Sequence, residues 1–323
     1  MKGGSSNSQY GGSVLIQSGA GQSSSGGLAL STVSSSTGSS GSVSMGSGSN
    51  TDASSGNVEF ISGDSVASSG KLRFAAGNSA SEIGAAVILK AGDSDQQTGG
   101  NFFVQSGASA TSVSGSVELK SSEGTAGSGR ILIQSGSSGA GSSGLIQLSS
   151  GAGSVNSGDV NVKIGSSATG NAGSITMSSG SSTSSSGGNV AVTAGHGTGA
   201  GGNIDIISGG SLSSTGGSVR LIGGTSEANV GGSVEIVSAG ANSVSGSVSF
   251  LTGNADQGQS GTVDVETGDT IANSGTISLQ TGETSEGVGG LISIQGGESN
   301  TATGGSVVVA TGSGQVASGS ISL

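Results

Sequence analysis

The sequence contains no cysteine, no proline and no tryptophan, and its aromatic side chains are one tyrosine and five phenylalanines. Without cysteine there is no disulfide framework and no thiolate metal site. The hydrophobic fraction is 30%, well below the roughly 45–50% of an ordinary globular domain, so an enzyme core filled by aromatic residues is not expected. No apolar run approaches the roughly 18 residues of a membrane span, and nothing after Met1 and Lys2 reads as a signal peptide.

Glycine makes up 69 of the 323 residues, a composition that by itself is typical of a flexible linker. The periodicity indicates otherwise. A unit Gly-x-Φ-x-Φ-x-small-Gly, where Φ is apolar, is followed by six or seven polar residues and recurs 22 times at intervals of 14 or 15 residues. Its first residue, here named the opening position, is glycine everywhere except at Ala85. The opening positions are residues 12, 26, 41, 56, 70, 85, 100, 115, 129, 144, 158, 173, 188, 202, 217, 232, 246, 261, 275, 290, 305 and 319.

Each unit carries two apolar positions, two and four residues after the opening position. They run from Val14 and Ile16 in the first unit to Ile321 and Leu323 in the last, without an exception. The residue between them varies freely and includes charged side chains. This alternation predicts a half-buried β-strand, because a helix would need apolar residues at spacings of three and four.

A second glycine stands three residues after the second apolar position in 18 of 21 units, the exceptions being Val33, Ser122 and Ala239. This closing position ends the apolar segment, and the return segment then leads to the next opening position. Glycine on both sides of a short strand predicts sharp corners with positive φ or close backbone approach. Because the two segments have similar lengths, the sequence predicts an all-β fold, a parallel β-solenoid of about 22 short coils. Residues 1–323 are expected to form one continuous array.

Outward charges favour one repeat per coil over two. Asp205, Arg220 and Glu235 occupy the same outward position in three successive repeats, and so do Glu59 and Arg73 in two. Opposite charges on neighbouring strands are favourable. If sequence-adjacent repeats are spatial neighbours, these residues form a ladder of ion pairs.

The ends of the array are predicted to be uncapped. Gly4 already stands at a closing position, and the chain stops at the apolar Leu323. Placing one chain's end before the next chain's start separates Gly319 from Gly12 by 16 residues, close to the internal interval. Since open ladders template further pairing, the sequence predicts either a segment of a longer array or head-to-tail stacking of chains.

Charge is segregated between the two kinds of segment. Seven basic and seven acidic residues lie at outward positions of the apolar segments, whereas the remaining twelve acids lie in the return segments. The net charge is −11. Such an acidic surface argues against a nucleic-acid partner.

The sequence has no cysteine and one histidine, so it offers few side chains for catalysis. No catalytic, cofactor-binding or metal-binding residue is predicted, and the protein is not expected to be an enzyme. His196 is the only histidine and is expected to be a solvated loop residue. Asp269, Glu283 and Glu298 share one return position. They are expected to be solvated carboxylates, with a weak calcium ladder as the alternative; they also argue against one repeat per coil, which would stack them.

Other uses of the surface are weaker expectations. An ice-binding plane would need a regular outward array, but outward positions carry residues as different as Leu15, Glu59 and Arg220. The recurring Thr252, Thr267, Thr281 and Thr311 have inward parity. No Asn-x-Ser/Thr sequon occurs, which excludes N-glycosylation, while O-glycosylation of the return segments stays open.

The unit Gly-Gly-Ser-Val-x-Ile-x-Ser-Gly at residues 11–19, echoed at 231–238 and 304–312, resembles glycine- and serine-rich repeat arrays in predicted extracellular proteins of diatoms and other microalgae. The resemblance implies an extracellular or cell-surface fibrous role and carries no active site. The prediction is a non-enzymatic structural protein that extends a fibre by end-to-end β-ladder continuation, with itself as the main partner and a glycan coat or surface as a further one. The alternative is a surface-binding module, such as an adhesin stalk or an ice or mineral binder.

Overall fold

The computed structural model describes residues 1–7 and 10–322. Within these ranges the chain forms no helix and no strand. The prediction of a parallel β-solenoid is therefore wrong: the repeats are present, but no sheet joins them. The chain divides into two compact units, Met1–Asn161 and Val162–Leu323. The predicted last apolar position, Leu323, lies outside the described residues.

In the described part of the chain twelve return segments close on themselves, and such closed segments cannot contribute to coils. The amide of the opening Gly26 donates a hydrogen bond of 2.9 Å to the carbonyl oxygen of the closing Gly19. The return segment between them therefore begins and ends at the same place, like an Ω-loop. A flattened coil would need this segment to span the length of a strand, so a closed loop cannot form the second side.

We call such an opening and closing pair a neck, and both units contain several. In the compact unit Met1–Asn161, necks are bonded at Gly12–Gly4, Gly26–Gly19, Ala85–Gly77, Gly100–Gly92 and Gly115–Gly107. In the compact unit Val162–Leu323, they are bonded at Gly188–Gly180, Gly202–Gly195, Gly217–Gly209, Gly232–Gly224, Gly246–Ala239, Gly305–Gly297 and Gly319–Gly312. Their N···O distances run from 2.7 Å at Gly232 to 3.3 Å at Ala85.

Close backbone approach, not left-handed backbone, is what requires glycine at the neck. A Cβ atom on the opening Gly232 would lie 2.9 Å from the amide nitrogen of Gly224, whereas one on the closing Gly224 would meet nothing within 4 Å. Among the described residues, positive φ occurs at Gly127 and Gly258, both inside return segments. The two glycines of a neck are thus not equivalent, because only the opening one is crowded.

One opening position carries an alanine, and its neck still closes. Ala85 donates to Gly77 over 3.3 Å, compared with 2.9 Å at the Gly100–Gly92 neck and 3.2 Å at the Gly246–Ala239 neck. The neck thus accepts a methyl group with a bond at the long end of the range.

The residue just before the closing position packs over the neck and is usually small. Most of the less exposed residues in the described part of the chain stand here, including Ser18, Ala91 and Gly223. A Cβ on Gly223 would collide with the carbonyl oxygen of Gly232, and that neck has the 2.7 Å bond. Absence of a side chain at this position thus accompanies a tight neck.

Candidate assembly surface

The apolar segments retain the predicted alternation but bury none of it. In the first repeat Val14 and Ile16 are 50% and 47% exposed, while Leu15 between them is 82% exposed. This period of two is that of extended chain, whose side chains point alternately to opposite sides. Among the described residues no hydrophobic side chain is buried. The apolar positions therefore form a half-exposed face, which we call the apolar face, and not a core.

The side chains of two successive apolar segments meet at a pair of aromatic rings. Phe60 and Phe74 hold the second apolar position of neighbouring units, and their ring centroids lie 6.2 Å apart in an edge-to-face arrangement. Such a pair is favourable beyond the area it covers. At this point sequence-adjacent repeats are spatial neighbours.

The predicted ladder of ion pairs does not form in the described part of the chain. The ion pairs there are Lys90 with Asp93 and Lys120 with Glu118, at 2.6 and 2.8 Å, each within one repeat. Their side chains are at least 70% exposed, so each contributes little to stability. Without paired strands, the charged residues of successive repeats are not held opposite one another.

Return segments are organised by a turn that starts two residues after the closing position. The glycine and apolar pattern did not predict this turn. The side chain there accepts hydrogen bonds from backbone amides two or three residues later, as in Asx and serine/threonine turns. Ser211, for example, accepts from Ser213 and Ser214 at 3.4 and 3.0 Å. The residues that do so are Ser35, Asn50, Ser65, Ser79, Ser94, Ser109, Ser138, Ser167, Ser182, Ser211, Ser226, Thr270, Thr284 and Ser299.

Glycine is the other solution at the same turn position. A Cβ on Gly21, Gly124, Gly153, Gly197 or Gly314 would collide with the carbonyl oxygen three residues later. At Gly124 the turn is also closed by a backbone bond of 3.2 Å from Gly127. The signal that could have revealed this turn was the recurrence of Ser, Thr, Asn or Gly at one fixed offset from the closing position.

The residues considered for chemistry are not brought together. His196 is exposed in its return segment. Among the described residues no three His, Cys, Asp or Glu side chains are grouped so that they could hold a metal ion, and this includes Asp269, Glu283 and Glu298. An open depression of about 440 Å³ beside Glu123, Gly124 and Thr125 contains a single titratable group.

The recurring threonines of inward parity lie against the next opening glycine. A Cβ on Gly290 would lie 3.0 Å from the Cβ of Thr281, and Thr252, Thr267 and Thr311 stand likewise against the next opening glycine. Thr32, at the same position, donates to the carbonyl oxygen of Gly41 at 3.1 Å. These threonines are therefore part of the repeat's own scaffold.

Comparison with known proteins adds no relative. No family model, no curated protein and no solved structure matches the chain. In the part of the chain that the structure describes, no helix is long and apolar enough to cross a membrane.

Proposed function

We propose that the protein is a non-enzymatic structural repeat protein that associates with copies of itself into a fibre outside the cell. The observation that carries this proposal is the apolar face: apolar residues recur at two positions of every unit, and none of those described is buried within the chain. A periodic apolar pattern that the single chain leaves exposed is the signature of an interaction surface.

The energetics favour association. Fully burying a Val, Leu or Ile side chain contributes about 1.5–3 kcal/mol. Since Val14 and Ile16 are already about half covered, covering the rest contributes roughly 1 kcal/mol each, or about 2 kcal/mol per repeat. Two to eight repeats acting together would therefore offset the roughly 4–15 kcal/mol lost on association.

The distribution of charge between the two kinds of segment is compatible with a fibre whose surface stays hydrated. The twelve return-segment acids carry the excess negative charge, while the outward positions of the apolar segments are balanced. Copies can thus approach along the apolar segments without net repulsion, and the acidic loops oppose indiscriminate lateral aggregation.

The proposal differs from the sequence prediction in one respect. End-to-end continuation of a β-ladder needed coils within each chain, and the described residues form none. The assembly contacts are therefore assigned to the apolar face and not to chain ends. The extracellular location rests on the resemblance to repeat arrays of microalgal proteins.

Electron microscopy of the purified chain over a concentration series tests the proposal, with sedimentation velocity on the same samples. Thin continuous fibres that lengthen above a critical concentration are expected. A chain that stays monomeric up to millimolar concentration would overturn self-assembly. If that monomer bound ice, mineral or polysaccharide particles, the surface-binding alternative would replace it.

A further inference from the structure

In the part of the chain that the structure describes, the apolar segments form no backbone hydrogen bonds with one another. In residues 1–7 and 10–322, backbone hydrogen bonds join the necks and the Gly127–Gly124 turn, and none joins two apolar segments. A segment with period-two side chains and a row of unpaired N–H and C=O groups is a template for pairing with another extended chain. The chain contains no proline that would interrupt such pairing.

We propose that each apolar segment acquires these partners from an apolar segment of a second copy, so that β-structure forms between chains as they assemble. This inference rests on the proposed function and names its partner and its contact. Covering the apolar face and satisfying the backbone then occur in the same step.

The spacing of the segments selects a second copy as the occupant. Apolar segments recur every 14 or 15 residues, and the bonded necks hold return loops between them. A partner can occupy successive segments only if its own segments follow the same spacing. A second copy meets this requirement, because its segments have the same spacing.

Charge complementarity favours the same occupant. Asp205, Arg220 and Glu235 stand at the same place in successive apolar segments, and so do Glu59 and Arg73. Two copies displaced by one repeat bring Asp205 opposite Arg220 and Arg220 opposite Glu235. Opposite charges facing each other across paired strands are stabilising, and like charges are destabilising.

Infrared spectroscopy with isotope dilution tests where the hydrogen bonds form. The full chain, labelled with ¹³C at its carbonyl groups, is assembled alone and after mixing with an excess of unlabelled chain. An amide I band of β-structure should appear on assembly. Dilution should shift the labelled band, because each labelled strand then lies between unlabelled strands of other copies and no longer couples with a neighbour of the same frequency.

The outcomes separate this inference from the proposed function. Fibres without a β band would overturn the inference and leave the fibre function intact. A β band unaffected by dilution would also overturn it, since the strands would then pair within one chain. A chain that forms no fibre at all would overturn both.

Charge variants test the pairing independently. Arg220→Glu replaces a favourable neighbour on both sides with a like charge and should raise the critical concentration roughly threefold or more. The matched control is Arg130→Glu, because Ser116 and Leu145 occupy its position in the adjacent repeats. It should change the critical concentration by less than about twofold, and equal effects of the two variants would contradict the predicted register.

A second pair of variants tests which face is covered. Serine at Ile204, Val219, Val234 and Val248 removes four apolar-face residues that are 45–52% exposed. Serine at Ile207, Ile222, Val237 and Leu251 removes four apolar residues from the other face of the same segments, which are 68–86% exposed. The first set should abolish or strongly weaken assembly and the second should not; the reverse order would overturn the assignment.

Discussion

The neck of Gly232 and Gly224 allows a sharp test of why the repeat uses glycine. Gly232 donates to the carbonyl oxygen of Gly224 at 2.7 Å. A Cβ at position 232 would lie 2.9 Å from the Gly224 nitrogen, whereas a comfortable contact is about half an ångström longer. Gly232→Ala must therefore lengthen or break this bond; at Ala85, where an alanine stands naturally, the bond is retained but measures 3.3 Å. Breaking such a bond costs about 0.5–1.5 kcal/mol, equivalent to a roughly two- to tenfold loss of amide protection.

Gly224→Ala is the matched control, because it changes the same residue types at the same neck but adds its methyl group in open space. Both variants lose the same backbone entropy in the unfolded chain, so the difference between them isolates the neck. The assay is NMR measurement of amide exchange at position 232, with a ¹³C carbonyl at 231 and ¹⁵N at 232, corrected for the intrinsic rate of each residue type. Protection should fall in Gly232→Ala and persist in Gly224→Ala. Equal protection in the two variants would refute the argument.

Three further outcomes are expected. Ser211→Ala should weaken its return turn by about 0.5–1 kcal/mol, seen as faster exchange at the Ser214 amide, because the hydroxyl that accepts from it is lost; Ser211→Thr should retain the turn. Phe74→Leu should remove the aromatic NOE to Phe60 and destabilise that contact by about 0.5–1.5 kcal/mol, whereas Phe103→Leu, on an outward side chain, should leave the Phe60 signals unchanged. Glu118→Gln should change stability by less than about 0.5 kcal/mol, measured by denaturant titration, because its 2.8 Å pair with Lys120 is exposed; a larger loss would mean that the pair is more shielded than the structure has it.

The repeat itself could be predicted from the sequence, and so could the alternation of side chains within it. Val14, Leu15 and Ile16 alternate in exposure as the pattern requires. Alternation specifies which side chains share a face, but not which backbone groups pair. Period-two segments can therefore share a face without stacking within one chain, which is why the predicted solenoid does not follow from the alternation.

The shape of the return segment is the reason why no solenoid forms. The sequence pattern predicts Gly19 and Gly26 as corners at opposite ends of a return strand, but they are bonded to each other. What folds such a segment back is a local turn, such as that of Ser94 between the bonded Gly92 and Gly100, whose hydroxyl accepts from Gln97 at 3.0 Å. Where return segments carry an apolar residue, such as Leu212 or Ile271, it is fully exposed. No packing keeps the segment extended, so hydrogen bonds between near neighbours determine its shape.

The assembly surface follows from the same closure. If the return segments had spanned the repeat, they would have supplied the layer that covers Val14, Ile16 and their equivalents. Closed at their necks, they leave each apolar segment without a covering layer in the same chain. The repeat thus closes many of its return segments into loops, while in the described part of the chain it leaves the backbone and the apolar face of the apolar segments available. Under the proposed function these two properties belong together: the loops hold the acidic charge outside the contact, and a second copy supplies the missing layer.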